Sequence, residues 1–244
     1  MRWLKAKFIC PHCRALSMIF TPAQKIELPT QMRLPMFPLQ SVFFPGETVP
    51  LHIFEERYQQ LIKDCREEAI TFGIPVYINK KIEYGTEVQL VEVVNTYESG
   101  EMDVVCVARQ VFKIVTFDNE MDQKLYAGGE VQFLEANNDA DEGLREDVLL
   151  KIKELYDLMG VELPLVPADK FNSYAFAHKM GLSFDQEYEL LQLTNEAERL
   201  QYIRLHLEST ITVLKQINNT KAVIEMNGHF KNFDPLDFED FKAD

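Results

Sequence analysis

No apolar run in this 244-residue chain approaches the roughly 18 residues needed to cross a bilayer. Its basic start, MRWLKAKFIC, has an apolar stretch interrupted by Lys5 and Lys7, with no small-residue cleavage site after it. That argues against a secretory leader. Cysteine is scarce too: Cys10, Cys13, Cys65 and Cys106 do not form the framework of a small secreted domain. Cys65 and Cys106 fall in segments read as a helix and a strand, where small buried thiols are common. A reducing cytoplasm is the expected compartment. Positive charge is in deficit, 25 basic against 39 acidic residues, for a formal net charge of −14. Such a field repels phosphate backbones, and the lysines and arginines lie scattered among acids rather than in a patch. Nucleic acid is therefore not an expected partner. What remains is ordinary: 46% hydrophobic and 26% charged residues suffice for a core without a disulfide or metal staple.

Residues 1–31 show no sustained periodicity and are expected to be a disordered or upstream-translated extension, with Met32 as the natural start. Their Cys10-Pro-His-Cys13 lacks the two further ligands a zinc site needs, and it opens no βαβ unit as a redox pair would. No metal and no cofactor are expected.

From 34 the chain reads LPMFPLQSVFF, then Pro45-Gly46, a strong turn signal, and VPLHIF. In FEERYQQLIKDCREEA, Phe54, Tyr58, Leu61, Ile62 and Cys65 recur at helical spacing opposite a charged face, which predicts an amphipathic helix of about four turns. Phe54 and Tyr58 are expected to bury against the sheet. Glu55 and Arg57, two apart, cannot face each other on a helix and are expected to bind different partners. Short β-branched runs follow at intervals of about ten: FGIPVYI, VQLVEVV, MDVVCVAR, VFKIVTF and LYAGGEVQFLE. Pro75 places the first near an edge or a bulge. The spacing predicts a small barrel or sandwich rather than a parallel sheet.

Past the acidic connection NNDADEG, strands give way to helices. Leu144, Val148, Ile152, Leu155 and Met159 mark one that ends at Gly160. A second is expected over 171–180, stopped at Gly181. Ser183 and Gln186 form a capping box for a third reaching Leu193. The fourth begins near Glu196, with Leu200, Ile203, Leu207, Ile211 and Leu214 on one face. The expected organisation is α+β: a β-rich subdomain over 32–136 with one amphipathic helix, a helical subdomain over 142–217, and an acidic tail over 218–244.

The ordered set Leu-Pro-x-Phe-Pro-Leu, Phe-Pro-Gly and Pro-Leu-x-Ile-Phe-Glu-x-Arg-Tyr, all inside 34–58, resembles the N-terminal substrate-binding domain of Lon proteases. FGIP, Gly85-Thr86, VFKIVTF and LYAGGEVQFLE continue the resemblance to about 134, and it is looser over the helices to 217. It implies a PUA-like barrel followed by a helical bundle. It also implies a role in recognising unfolded or extended protein segments, or a protein partner. On the residues themselves, Pro35, Pro38, Gly46, Pro50, Phe54, Glu55, Arg57 and Tyr58 are read as defining the fold. A peptide groove is expected among Phe37, Leu39, Phe43, Phe44, Pro45 and His52.

Full-length Lon proteases add an ATPase and a Ser-Lys peptidase domain. The phosphate-cradling G-x-x-x-x-G-K-[ST] is missing here, and no serine has the glycine-flanked setting of the peptidase nucleophile. The chain is therefore expected to be non-catalytic, an adaptor presenting clients to a separate protease. Two alternatives are RNA binding by the PUA-like barrel and a part in ATP-dependent proteolysis by association with a Lon-type peptidase.

Overall fold

The computed structural model describes residues 31–162 and 166–230, with side chains to 225. The expectations for residues 1–30, including Cys10 and Cys13, and for 231–244 lie outside the described residues. The described residues belong to one compact unit that begins at Gln31.

Six strands form the sheet: β1 (Gln31–Met36), β2 (Thr48–Ile53), β3 (Phe72–Ile78), β4 (Lys81–Thr96), β5 (Met102–Ile114) and β6 (Ala127–Phe133). Their order is β2-β5-β4-β3-β1-β6, and a second pairing of β5 with β6 closes five of them into a barrel. Only β1 and β3 pair in parallel; the other ladders are antiparallel. Closure depends on the length of β5, whose Met102–Val107 half pairs with β2 while its Phe112–Ile114 end pairs with β6. The two runs MDVVCVAR and VFKIVTF are thus one strand, because Arg109-Gln110 between them carries no turn residue.

Pro75 does sit at a bulge, between β3 and β4, but β3 is an inner strand. Gly85 lies opposite, where a Cβ would stand 2.5 Å from the Ile74 carbonyl oxygen and 2.6 Å from the Pro75 Cα. The Phe112 ring reaches across the same place, 2.8 Å from the Cβ positions of both Gly73 and Gly85. These glycines are space for a ring.

Helix α1 (Glu56–Glu68) packs Tyr58, Leu61, Ile62 and Cys65 onto a core with Val49, Phe72, Val88, Val104 and Cys106. Phe54 is not among them: it precedes the helix and is 62% exposed. Glu55 is the N-cap residue, in extended conformation. Being off the helix, its carboxylate meets the guanidinium of Arg57 at 2.7 Å, so these two bind each other.

The helices are α2 (Glu142–Met159), α3 (Ser173–Phe176), α4 (Phe184–Gln192) and α5 (Glu196–Phe230). Gly160 closes α2 at φ 71°, and Ser183 with Gln186 forms the capping box of α4. The single helix expected over 171–180 is instead α3 between two 3-10 turns, Ala168–Lys170 and Ala177–Lys179. Phe171 and Asn172 are extended, and buried Glu196 anchors the start of α3 that follows them. It accepts hydrogen bonds from the Ser173 amide (2.9 Å) and hydroxyl (2.7 Å) and is itself held by Arg199 at 2.7 Å. Helix α5 runs beyond 217 to Phe230, with no proline over 218–230 to stop it. The segment 218–230 is therefore helix, not the start of a tail.

One hydrophobic cluster joins both halves: Val42, Phe44, Val76 and Val111 from the barrel side pack with Val148, Ile152, Tyr174, Leu190, Leu200 and Ile203. Phe44 is its hinge point, 1% exposed, with its ring centroid 5.3 Å from Tyr174 and 4.9 Å from His178.

Candidate functional site

At one end of the barrel lies an open cavity of about 620 Å³. The chain following β1 supplies Pro38, Leu39 and Gln40; the start of α1 supplies Arg57 and Tyr58. The β3–β4 hairpin adds Tyr77, Lys80, Lys81 and Ile82, and Phe117, Asn119 and Ala127 close the far side. Backbone bonds fix this wall. The amides of Phe37 and Leu39 donate to the carbonyls of Gly73 (2.8 Å) and Pro75 (3.0 Å), and the Tyr77 amide donates back to Leu39 (2.7 Å). The LPMFPL segment thus extends the parallel pairing with β3 past the end of β1, as the two prolines favour. The Tyr58 ring rests on Phe37 with centroids 3.8 Å apart, and the Arg57 guanidinium stands 4.5 Å over that same ring. Burial pushes the Tyr58 phenol up, against the opposing pull of Arg57, so it stays a neutral wall.

Three cations and no carboxylate line this cavity. Two of them are paired with glutamates just outside the lining, Arg57 with Glu55 and Lys81 with Glu83, as expected for basic residues interspersed with acids. Tyr77, Lys80, Lys81, Ile82 and Phe117 were outside the groove expected from sequence. Ile78-Asn79-Lys80-Lys81 held the signal: a two-residue hairpin turn at Asn79 and Lys80, both at positive φ (50° and 63°).

Of the six residues expected to form the groove, Leu39 lines this cavity. Phe37 is buried beneath it against Tyr58, and Phe43 is half-buried on the same core. Phe44 lies in the other core. Pro45 lines a separate cavity of about 430 Å³, with Gly46, Glu47, Asn172, Tyr174 and His178. His52 is on β2, half exposed, with Nδ1 2.7 Å from Asp103. The six do not line one groove. Among the residues read as defining the fold, Pro35 is buried, Pro38 lines the 620 Å³ cavity, Gly46 takes φ 88°, and Pro50 is exposed on the edge strand β2.

The second cavity holds an ionic clamp between the halves. His178 sits 3.3 Å from Glu47 and 2.8 Å from Glu187, and Glu47 also accepts from the Phe44 amide at 2.9 Å. The bond to Glu47 raises the His178 pKa to about 9 against the opposing effect of burial, with Glu187 adding to the rise. Burial would raise Glu47, but its bonds to His178 and the Phe44 amide bring it below the usual carboxylate range. Neither cavity pairs a nucleophile with a base. Cys65 and Cys106 are buried with thiols pushed up to about 12, which makes both inert. Among the described residues, no group of three His, Cys, Asp or Glu side chains is placed to hold a metal ion. No helix among them is long and apolar enough to cross a membrane.

Comparison with known proteins agrees with this architecture. A family model described as the ATP-dependent protease La (LON) substrate-binding domain matches residues 33–209. A crystal structure of a Lon N-terminal domain protein from Xanthomonas campestris aligns with a TM-score of 0.56 and 27% identity, covering 70% of this chain and 95% of that one. The N-terminal domain of Mycobacterium avium complex Lon protease shares the fold at a TM-score of 0.55 and 14% identity, over 72% of this chain and 98% of that one. No curated protein matches the chain. With a family match over most of its length and the α+β barrel-plus-helices fold of that family, this chain belongs to the Lon substrate-binding domain family.

Proposed function

We propose that this chain is a non-catalytic recognition module that holds extended apolar protein segments in the 620 Å³ cavity and presents them to a separate protease. The observation that carries this reading is that the cavity wall is built from the segment bearing the family resemblance: Pro38, Leu39, Arg57 and Tyr58. An open cavity whose lining mixes apolar Leu39, Ile82 and Phe117 with polar Gln40, Arg57, Lys80, Lys81 and Asn119 suits a segment that is not itself folded. Its volume lies within the range of about 300–1,000 Å³ that ligand pockets span. The buried, unbridged thiols of Cys65 and Cys106 suit the reducing cytoplasm in which we place the protein.

The test uses a permanently unfolded, labelled protein and the native protein competing with it. Binding to the wild-type chain should weaken about tenfold or more in a Leu39→Asp, Ile82→Asp variant that keeps its unfolding midpoint. Equal binding by that variant would place the client elsewhere on the molecule. The adaptor role is checked by adding the chain to a Lon-type peptidase and following client loss. Acceleration that the same variant abolishes is expected, and no change in rate would contradict delivery.

A further inference from the structure

The charge of the cavity runs against the charge of the molecule. With 39 acidic and 25 basic residues overall, any surface region is expected to carry more carboxylates than cations. Yet this lining carries Arg57, Lys80 and Lys81 and no carboxylate. Two of the three have partners outside the lining: Glu55 meets Arg57 at 2.7 Å, and Glu83 lies 3.6 Å from Lys81, both highly exposed. Lys80 forms no ion pair among the described residues and stands at the mouth, on the turn between β3 and β4. Its backbone takes φ 63°, where a two-residue hairpin turn favours glycine. Its side chain leaves this turn at the cavity rim. Between the cations lie rings: Tyr58 under Arg57, exposed Tyr77 (47%), and half-buried Phe117.

Resting on the peptide-binding reading above, we infer that the cavity selects acidic apolar segments: an extended peptide whose Asp or Glu side chains pair with Lys80, Lys81 and Arg57 while a neighbouring Phe or Leu enters between Leu39, Tyr58 and Tyr77. Alternation along an extended chain gives this geometry directly, since successive side chains point to opposite sides and residues i and i+2 share one. The overall charge of −14 slows encounter with such a segment at long range. The cavity therefore offers selection at short range, after approach, within the screening distance of about 8 Å at physiological salt. Basic segments are drawn to the rest of the surface, whereas here the carboxylates nearest the cavity, Glu55 and Glu83, lie outside the lining and are already paired with Arg57 and Lys81. The same combination of cations and rings could stack single-stranded RNA, but the family match is to a protein-substrate domain and the net charge opposes a polyanion.

The experiment measures fluorescence anisotropy of the full chain with blocked ten-residue peptides in which Phe and Leu alternate with Asp, with Asn, or with Lys. A fourth probe is a ten-nucleotide oligouridylate. The Asp peptide is expected to bind at least tenfold more tightly than the Asn peptide, and the Lys peptide weakest. The preference for Asp should shrink with added salt and fall to about unity in Lys80→Gln, Lys81→Gln, while Lys63→Gln, on α1 away from the cavity, leaves it unchanged. These are exposed positions, so the fold should persist, and an unchanged urea midpoint verifies it. Equal affinity for Asp and Asn peptides overturns the charge inference and leaves the apolar reading standing. No binding of any peptide sinks the peptide reading itself. Oligouridylate binding more tightly than the Asp peptide overturns the inference in favour of nucleic acid.

Discussion

Lys80 and His178 show how single side chains set the two cavities apart. At φ 63°, Lys80 carries the steric penalty of the left-handed region, partly offset by the extra chain freedom a glycine would bring to the unfolded state. Lys80→Gly should therefore raise stability by about 0.5–1 kcal/mol in urea titration, yet weaken binding of the Asp peptide. Loss of both would mean that Lys80 serves the fold and not the site. His178 is different: its folded-state pKa of about 9 lies above the ordinary 6.5. Its contribution is complete below pH 6.5 and is lost as pH rises through about 9. Glu47, held below its ordinary 4.5, contributes above that value and loses its share as pH falls through its own folded-state pKa. The unfolding midpoint of the native protein should thus drop between pH 7 and pH 10 by more than that of His178→Gln. Parallel curves for the two proteins would show that the clamp adds nothing. Peptide affinity at the other cavity should be indifferent to the His178 change, because no residue lines both cavities.

Among the elements, the strand junction at Gly85 and the barrel–helix junction at Phe44 hold the fold together. A methyl group at Gly85 would meet main-chain atoms of Ile74 and Pro75 rather than a side chain that could swing away. Gly85→Ala should cost about 2–3 kcal/mol by urea titration, and a loss under 0.5 kcal/mol would contradict the close approach of β3 and β4. Phe44→Ala should cost about 3–5 kcal/mol, since the ring is fully enclosed by residues of both halves. Periodicity makes α1, α2 and the first part of α5 legible, because each buries one stripe, and the capping box of Ser183 and Gln186 does so for α4. Periodicity fails over 171–180, where Phe171 and Asn172 are extended and α3 gives way after Phe176 to a 3-10 turn. It fails again at 218–230, because residues 218–225 are all exposed and no buried stripe marks the helix. The β5 strand reads as two runs because polar Arg109-Gln110 interrupts its apolar pattern, although neither is a turn residue.

For the molecule as a whole, the family and the class of fold could be read from the ordered proline and aromatic motifs between 34 and 58, whereas the site could not. Most of the aromatics expected to form a groove are committed to two cores, Phe37 to one and Phe44 to the other. The cavity is completed by the β3–β4 hairpin and by Phe117, which are remote from the motifs in sequence. Lys80 and Lys81 are adjacent in the chain, but that Arg57 joins them at one cavity is set by the fold and not by sequence spacing. Because one cluster spans barrel and helices, the two halves should unfold together, giving coincident transitions by tyrosine fluorescence and far-UV circular dichroism. Separate transitions would mean that the Phe44 junction is weaker than its burial implies. The central claim, that client segments are held at the mouth of the barrel, is tested most directly by amide chemical shifts during titration with the Asp peptide. Perturbations should concentrate at Leu39, Arg57, Tyr77, Lys80, Ile82 and Phe117. A pattern centred instead on Glu47, Asn172 and His178, or spread evenly over the surface, would contradict it.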